Sequence, residues 1–292
     1  MKKHTTLISA VLTALLVLSS CGGNEAGIGT ETLDQTETEK ETGKMTETEK
    51  ISETEEQIVP DLVFGNKNWK LTFDDEFDGE SIDNKKWSQI PDWDRGSYIW
   101  MPEAARVEDG NLILSVHEGK DGKYFTGGIR TINKFSQAYG YYEVRCKLPT
   151  AAGINDAFWL MGGNMSDASV KGAKDGSEID ILETNGFALD RIQHALHWDG
   201  YGDDHEQVFQ SVDGLNLYDG EYHTFGLLWE KTKYRFYVDG KLTWTEAKGG
   251  VCTVPLYLKL TVAVGGWVGD VDPGIVPIDA MIVDYVRVYK EI

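Results

Sequence analysis

From about residue 60 onward the chain alternates apolar and polar positions in short runs broken by Gly, Asp and Asn. Period-two alternation puts successive side chains on opposite faces of a strand, so each run predicts a strand with one buried side. Such runs lie at 112–116, 139–148, 192–198, 222–229, 234–238, 256–264 and 281–289. Within the second, Tyr142, Val144, Cys146 and Leu148 make an apolar face, while Glu143, Arg145 and Lys147 take the other. Val238-Asp239-Gly240-Lys241 is a hairpin signal, because Asp-Gly tolerates the positive φ of a two-residue turn. No stretch sustains a helical period. Many strands with turn signals predict one all-β sandwich, larger than an immunoglobulin domain.

One run departs from simple alternation. Gly176-Ser177-Glu178-Ile179-Asp180-Ile181-Leu182-Glu183-Thr184 sets three carboxylates among β-branched and aliphatic residues. Glu178 and Asp180 share a face, and Glu183 has the wrong parity. One extra residue, a β-bulge around Ile181-Leu182, would return it to that face. Like charges in one short row repel, so stability alone gives little reason for them. Two carboxylates held close at unequal pKa are what double-displacement glycoside hydrolysis requires. An exposed acidic edge strand is the plainer alternative.

The N-terminal part is not domain material. Lys2, Lys3 and His4 precede an apolar stretch from Leu7 to Leu18, the pattern of a secretory signal over residues 1–20. Leu18-Ser19-Ser20-Cys21 resembles a bacterial lipobox, which implies lipidation of Cys21; an ordinary signal with an incidental cysteine is the alternative. Residues 21–58 are Thr/Glu-rich with near-repeats, eleven acids against three lysines, and read as a disordered, extended stalk. The catalytic candidate is then 59–292. The chain carries a net charge of −20, and the part beyond the stalk is itself acidic. That argues against nucleic acid and anionic lipid as partners. Cys146 and Cys252 remain after Cys21 and could form one disulfide or stay as two buried thiols.

Trp69, Trp87, Trp229 and Trp244 sit in contexts where burial is the default, whereas Trp93, Trp198 and Trp267 lie beside Gly or Asp and Trp100 precedes Met101-Pro102. The second group consists of sugar-stacking platforms or of core fillers. His194 and His197, three apart on one strand, should face opposite ways. A catalytic part for either requires that strand to adjoin the carboxylate strand.

In combination these residues resemble glycoside hydrolase family 16, over about Lys70 to Tyr289. The likeness runs through Phe73-Asp74-Asp75-Glu76-Phe77-Asp78-Gly79, Gly128-Ile129-Arg130-Thr131 and Tyr139 to Arg145. It continues in Ala157-Phe158-Trp159-Leu160, Tyr234 to Gly240 and the closing Val283 to Tyr289, around the bulged Glu-x-Asp-x-x-Glu signature. The resemblance implies a concanavalin A-like β-jelly roll whose concave sheet forms an open cleft. It implies Glu178 as nucleophile, Glu183 as acid/base and Asp180 as the group between them. It brings Trp159 near the scissile sugar, with Arg130 and His197 at matching cleft positions. Trp198, Trp267, Trp100 and Asn155 are further candidate substrate contacts, the tryptophans from their loop-like settings and Asn155 at a departure from the family pattern. It also suggests a structural Ca²⁺ on the convex side, held by Glu76, the Gly110 carbonyl and Asp284. No cofactor is implied for catalysis.

Asn155-Asp156 stands where family β-1,3-glucanases usually carry Trp-Pro, and His197-Trp198-Asp199-Gly200-Tyr201-Gly202 differs from their usual loop. The expectation is therefore an endo-acting retaining β-glycanase, monomeric, exported and lipid-anchored at the bacterial cell surface. Its substrate would be a β-1,3- or mixed-linkage glucan, or a β-galactoside polymer or host glycan. A non-catalytic glycan-binding lipoprotein and a transglycosylase on the same site are the alternatives.

Overall fold

The computed structural model describes residues 67–149, 151–184 and 188–292. The signal segment, the stalk and Cys21 lie outside the described residues. Two antiparallel-dominated sheets face each other. The smaller has seven strands in the order Glu206–Asp213, Arg191–Trp198, Gly176–Thr184, Ile154–Gly163, Tyr257–Val264, Gly128–Arg130, Ser88–Gln89. The larger has eleven, with Gly140–Lys147, Ile278–Glu291 and Asn111–Glu118 at its middle. The remaining secondary structure among the described residues consists of short 3-10 turns. The architecture is the all-β jelly-roll sandwich that the alternation predicts.

Each sheet turns its apolar parity inward. Phe158, Leu160, Ile179 and Leu260 from the smaller sheet meet Tyr142, Val144, Phe225 and Val286 from the larger in one buried cluster. Burying a side chain of this size contributes roughly 1.5–3 kcal/mol. The Asp239-Gly240 turn forms as expected, with φ of 47° and 70° and Val238 paired to Lys241. The sequence alternation misses the strand Glu206–Asp213. This is a sheet edge with no buried residue, so its polar and apolar positions do not segregate. Cys146 and Cys252 are both free and buried.

The core also holds one anomaly. Asp156 is fully buried, neither carboxylate oxygen has a hydrogen-bond partner, and burial pushes its pKa from 3.8 to about 8. A carboxyl whose folded pKa is raised binds a proton that the unfolded chain releases. Its stabilising effect is complete below the unfolded pKa and is lost as pH rises toward the folded one. Stability should therefore fall by roughly 1.4 kcal/mol per pH unit from this group between about pH 4 and 8. Asp156→Asn is expected to unfold at higher denaturant than the wild type at pH 8, with the difference shrinking at pH 5. Urea titrations at both pH values check this.

Candidate active site

The carboxylate strand Gly176–Thr184 lies between Ile154–Gly163 and Arg191–Trp198, inside the seven-stranded sheet. Glu178 pairs with Met161 and His197, and Asp180 with Trp159 and Ala195. Between Asp180 and Glu183 the register slips on both sides, after which Glu183 pairs with Ala157 and Gln193. Ile181 is the extra residue, and it turns inward with Leu182 into the core. The bulge restores Glu183 to the face of the other two acids. The buried His194 ring secures it, with Nδ1–H donating to the Ile181 carbonyl at 2.6 Å. Burial lowers the His194 pKa to about 4, so the ring is neutral. Its partner His197 has the opposite parity and faces the acids. The histidine strand does adjoin the carboxylate strand.

The three acids line one cavity of about 480 Å³ with Trp93, Arg95, Tyr98, Trp100, Asn155, Trp159, Tyr201 and Lys259. Burial, then the charge of Asp180, raises Glu178 to about 7 and Glu183 to about 8. A hydrogen bond from the Tyr201 hydroxyl opposes the rise at Glu178. His197 Nε2 lies 3.3 Å from Asp180 Oδ2 and 4.0 Å from Glu178 Oε1. Burial disfavours its charged ring, but the Asp180 hydrogen bond and the three carboxylates outweigh that and lift it to about 9. A charged imidazole thus sits among the acids and partly offsets their repulsion. Such groups can divide into an ionised and a protonated carboxyl, the division that nucleophile and acid need.

The aromatic floor is built on the neighbouring strand. Trp159 Nε1–H donates to Thr261 Oγ1 at 2.9 Å, and the Lys259 ammonium lies 3.5 Å from its ring centroid. Lys259 is 3% exposed, and burial lowers it to about 7 against the pull of Glu178. Trp100 Nε1–H donates to the Val262 carbonyl at 3.0 Å, so this ring is a fixed wall, with Trp93 edge-on at 5.4 Å. Asn155 Nδ2 donates to the Thr184 carbonyl and places its amide beside Glu183. Arg130 pairs with Lys259 one strand further out and does not line the cavity.

Besides Arg130, Trp198 and the calcium residues differ from expectation, and the Trp267 side chain lies outside those described. Trp198 is no platform. It has the parity opposite to His197, is 4% exposed, and packs in the core against the backbone of Gly249, where a Cβ would come within 2.5 Å of its ring. Its position before Asp199-Gly200 suggests a loop residue, but it is the last residue of the strand. The carboxylates of the calcium set are taken up by other partners. Both oxygens of Glu76 accept from Arg287, at 2.8 and 2.7 Å, Asp284 pairs with Arg145, and Gly110 turns beside Asp78. Calcium takes six to eight oxygens, whereas these carboxylates face guanidinium groups, so the residues as arranged do not fit the ion. Trp267 has its backbone in the turn Gly266–Val268, and its side chain is outside those described.

Tyr201 and Lys259 are cleft residues that the sequence reading passes over. Lys259 did leave a signal, since Tyr257, Lys259 and Thr261 mark a polar face on an otherwise apolar run. Tyr201 left none beyond its Gly-Tyr-Gly setting.

Residues 67–291 match the sequence profile of the Beta-porphyranase A-D, GH16 domain. The Beta-glucanase of Rhodothermus marinus is 31% identical over 253 residues, which cover 76% of this chain and 86% of that protein. The Keratan-sulfate endo-1,4-beta-galactosidase of Sphingobacterium multivorum is 31% identical over 243 residues, 76% of this chain but 56% of that longer protein. The solved laminarinase from Rhodothermus marinus has a TM-score of 0.67 at 29% identity, covering 78% of this chain and 99% of that one.

Proposed function

The chain belongs to glycoside hydrolase family 16 and is an endo-acting β-glycan hydrolase; from that premise we propose that it works by double displacement on a glycan containing β-galactosides. Glu178, ionised, attacks the anomeric carbon while Glu183 gives its proton to the departing glycosidic oxygen. The bond from that carbon to the leaving sugar breaks, and a glycosyl ester on Glu178 forms. Water then attacks the same carbon and loses its proton to Glu183, and the electron pair of the ester bond returns to Glu178. Two inversions give net retention.

The Ile181 bulge carries this reading, because it alone brings Glu183 round to the face of Glu178. Burial and the charge of Asp180 raise both carboxyls, so the pair holds a proton near neutrality, which the division of labour requires. Asp180 adds negative charge that keeps a proton on Glu183. The profile match to a porphyranase domain and the likeness to a keratan-sulfate galactosidase support the galactoside class. Asn155-Asp156 in place of Trp-Pro argues against a standard β-1,3-glucanase.

The test incubates the protein with porphyran, agarose, keratan sulfate, mucin O-glycans, laminarin and mixed-linkage glucan. Oligosaccharides from a galactoside polymer, with the new reducing end appearing first as the β-anomer by proton NMR, are the expected result. Products from the glucans alone would sink the galactoside assignment, and an initial α-anomer would sink double displacement.

A further inference from the structure

Tyr201 stands on the loop that leaves the His197 strand. The residue is 54% exposed, yet its hydroxyl donates to Glu178 Oε2 at 2.5 Å. The loop is pinned on both sides. Asp199 and Gly200 take left-handed backbone, at φ of 62° and 82°. The Asp199 carboxylate accepts from the Gly172 N–H at 2.9 Å, and the Gly200 N–H donates to the Met165 carbonyl at 2.7 Å. Further along, His205 meets His197, with Nδ1 and Nε2 3.0 Å apart and the rings stacked at 5.2 Å. With His197 charged and His205 lowered by burial and by that charge, His197 donates and His205 accepts. A half-exposed phenol held this firmly is not filling a core.

We propose that Tyr201 is a working part of the reaction: it holds Oε2 of Glu178, leaves Oε1 for the anomeric carbon, and supports the carboxylate as it departs in the second half-reaction. This rests on Glu178 being the nucleophile. The charged and titratable groups around Glu178 are Asp180, Glu183, His197, Lys259, Tyr257 and Tyr201 itself. Among the described residues Tyr201 is the hydrogen-bond donor to that carboxylate, since His197 remains 4.0 Å away. Burial and the neighbouring charge of Glu178 raise the phenol well above its ordinary pKa, so it keeps the proton it donates.

A hydrogen bond to an anion is stronger than one to a neutral acceptor. The Tyr201 bond is therefore strongest when Glu178 is a free carboxylate and weakest when Oε1 is esterified to the sugar. Removing it raises the energy of the free carboxylate most, of both transition states in part, and of the ester least. The first half-reaction is then spared once Glu178 is ionised. The second slows, because the departing carboxylate has lost its support. The ester accumulates.

Tyr201→Phe keeps the ring and removes only the hydroxyl. With glutamate ¹³C-labelled at its carboxyl carbon and Glu178→Gln identifying the resonance, the Glu178 titration is expected about one pH unit or more higher in Tyr201→Phe. On porphyran or laminarin, kcat and KM are expected to fall together by about tenfold, the acidic limb of kcat/KM to move up in pH, and a glycosyl adduct to appear in intact mass. An unshifted titration, or a raised KM with kcat and pH profile unchanged, would make Tyr201 a sugar platform and overturn the proposal. Failure of the underlying reading looks different, because the mass adduct would then persist in a Glu178→Gln background.

Discussion

Glu178→Gly is expected to lose on the order of 10⁴-fold or more in kcat, and to regain a measurable part of it in azide. The substitution removes the nucleophile and opens a space beneath the anomeric carbon. Azide enters that space and attacks, the glycosidic bond breaks, and Glu183 supplies the proton to the leaving oxygen. One inversion gives an α-glycosyl azide, a product the wild type cannot make. Its detection by NMR or mass spectrometry assigns the nucleophile independently of the polymer used. The fold should not suffer, since Glu178 is a raised-pKa acid in a repelling cluster and the core parity of its strand is untouched. Unchanged activity, or loss without azide rescue alongside rescue at Glu183, would reverse the assignment.

The second large effect is at Glu183. Glu183→Gln removes the proton that assists the leaving sugar, a contribution of roughly 10²–10⁴-fold. The loss should be small in the first half-reaction for an aryl glycoside whose leaving group needs no acid. The pH profile carries a further signature. The proposed mechanism needs Glu178 ionised and Glu183 protonated, and their raised values are near 7 and 8. The wild-type rate should fall as pH drops through the first step and as it rises through the second. These are the macroscopic steps of an interacting pair. Glu183→Gln should abolish the alkaline limb and leave the acidic one. An alkaline limb that survives the substitution would assign it to another group, with His197, lifted to about 9, the nearest candidate.

Much of this site was legible because it follows from parity. Glu178 and Asp180 declare their common face by spacing, and the same spacing shows that Glu183 needs an extra residue. The opposite orientation of His194 and His197 follows from the same rule. What sequence could not supply was the other side of each contact. Trp198 lies at a strand end, where parity and loop context give conflicting answers, and packing against Gly249 decides between them. Glu76 and Asp284 carry the right chemistry for a cation, but Arg287 and Arg145, distant or misaligned in sequence, take them up. Tyr201 belongs to a loop whose course is set by Gly172 and Met165, residues on a different segment. Contacts of that kind have no local signature.

Ile181 is buried in the core and carries no charge, yet the proposed chemistry depends on its presence as a unit of length. Any apolar residue there could fill the core position, so scanning the strand by substitution would rank it among the dispensable sites. Shortening the strand by that residue would send Glu183 into the apolar interior and leave every side chain of the catalytic signature still present in the sequence. The activity is thus written partly as an insertion. A search for function that counts only which residues are present, and not how many separate them, would read the intact enzyme and its disarmed relative as the same protein.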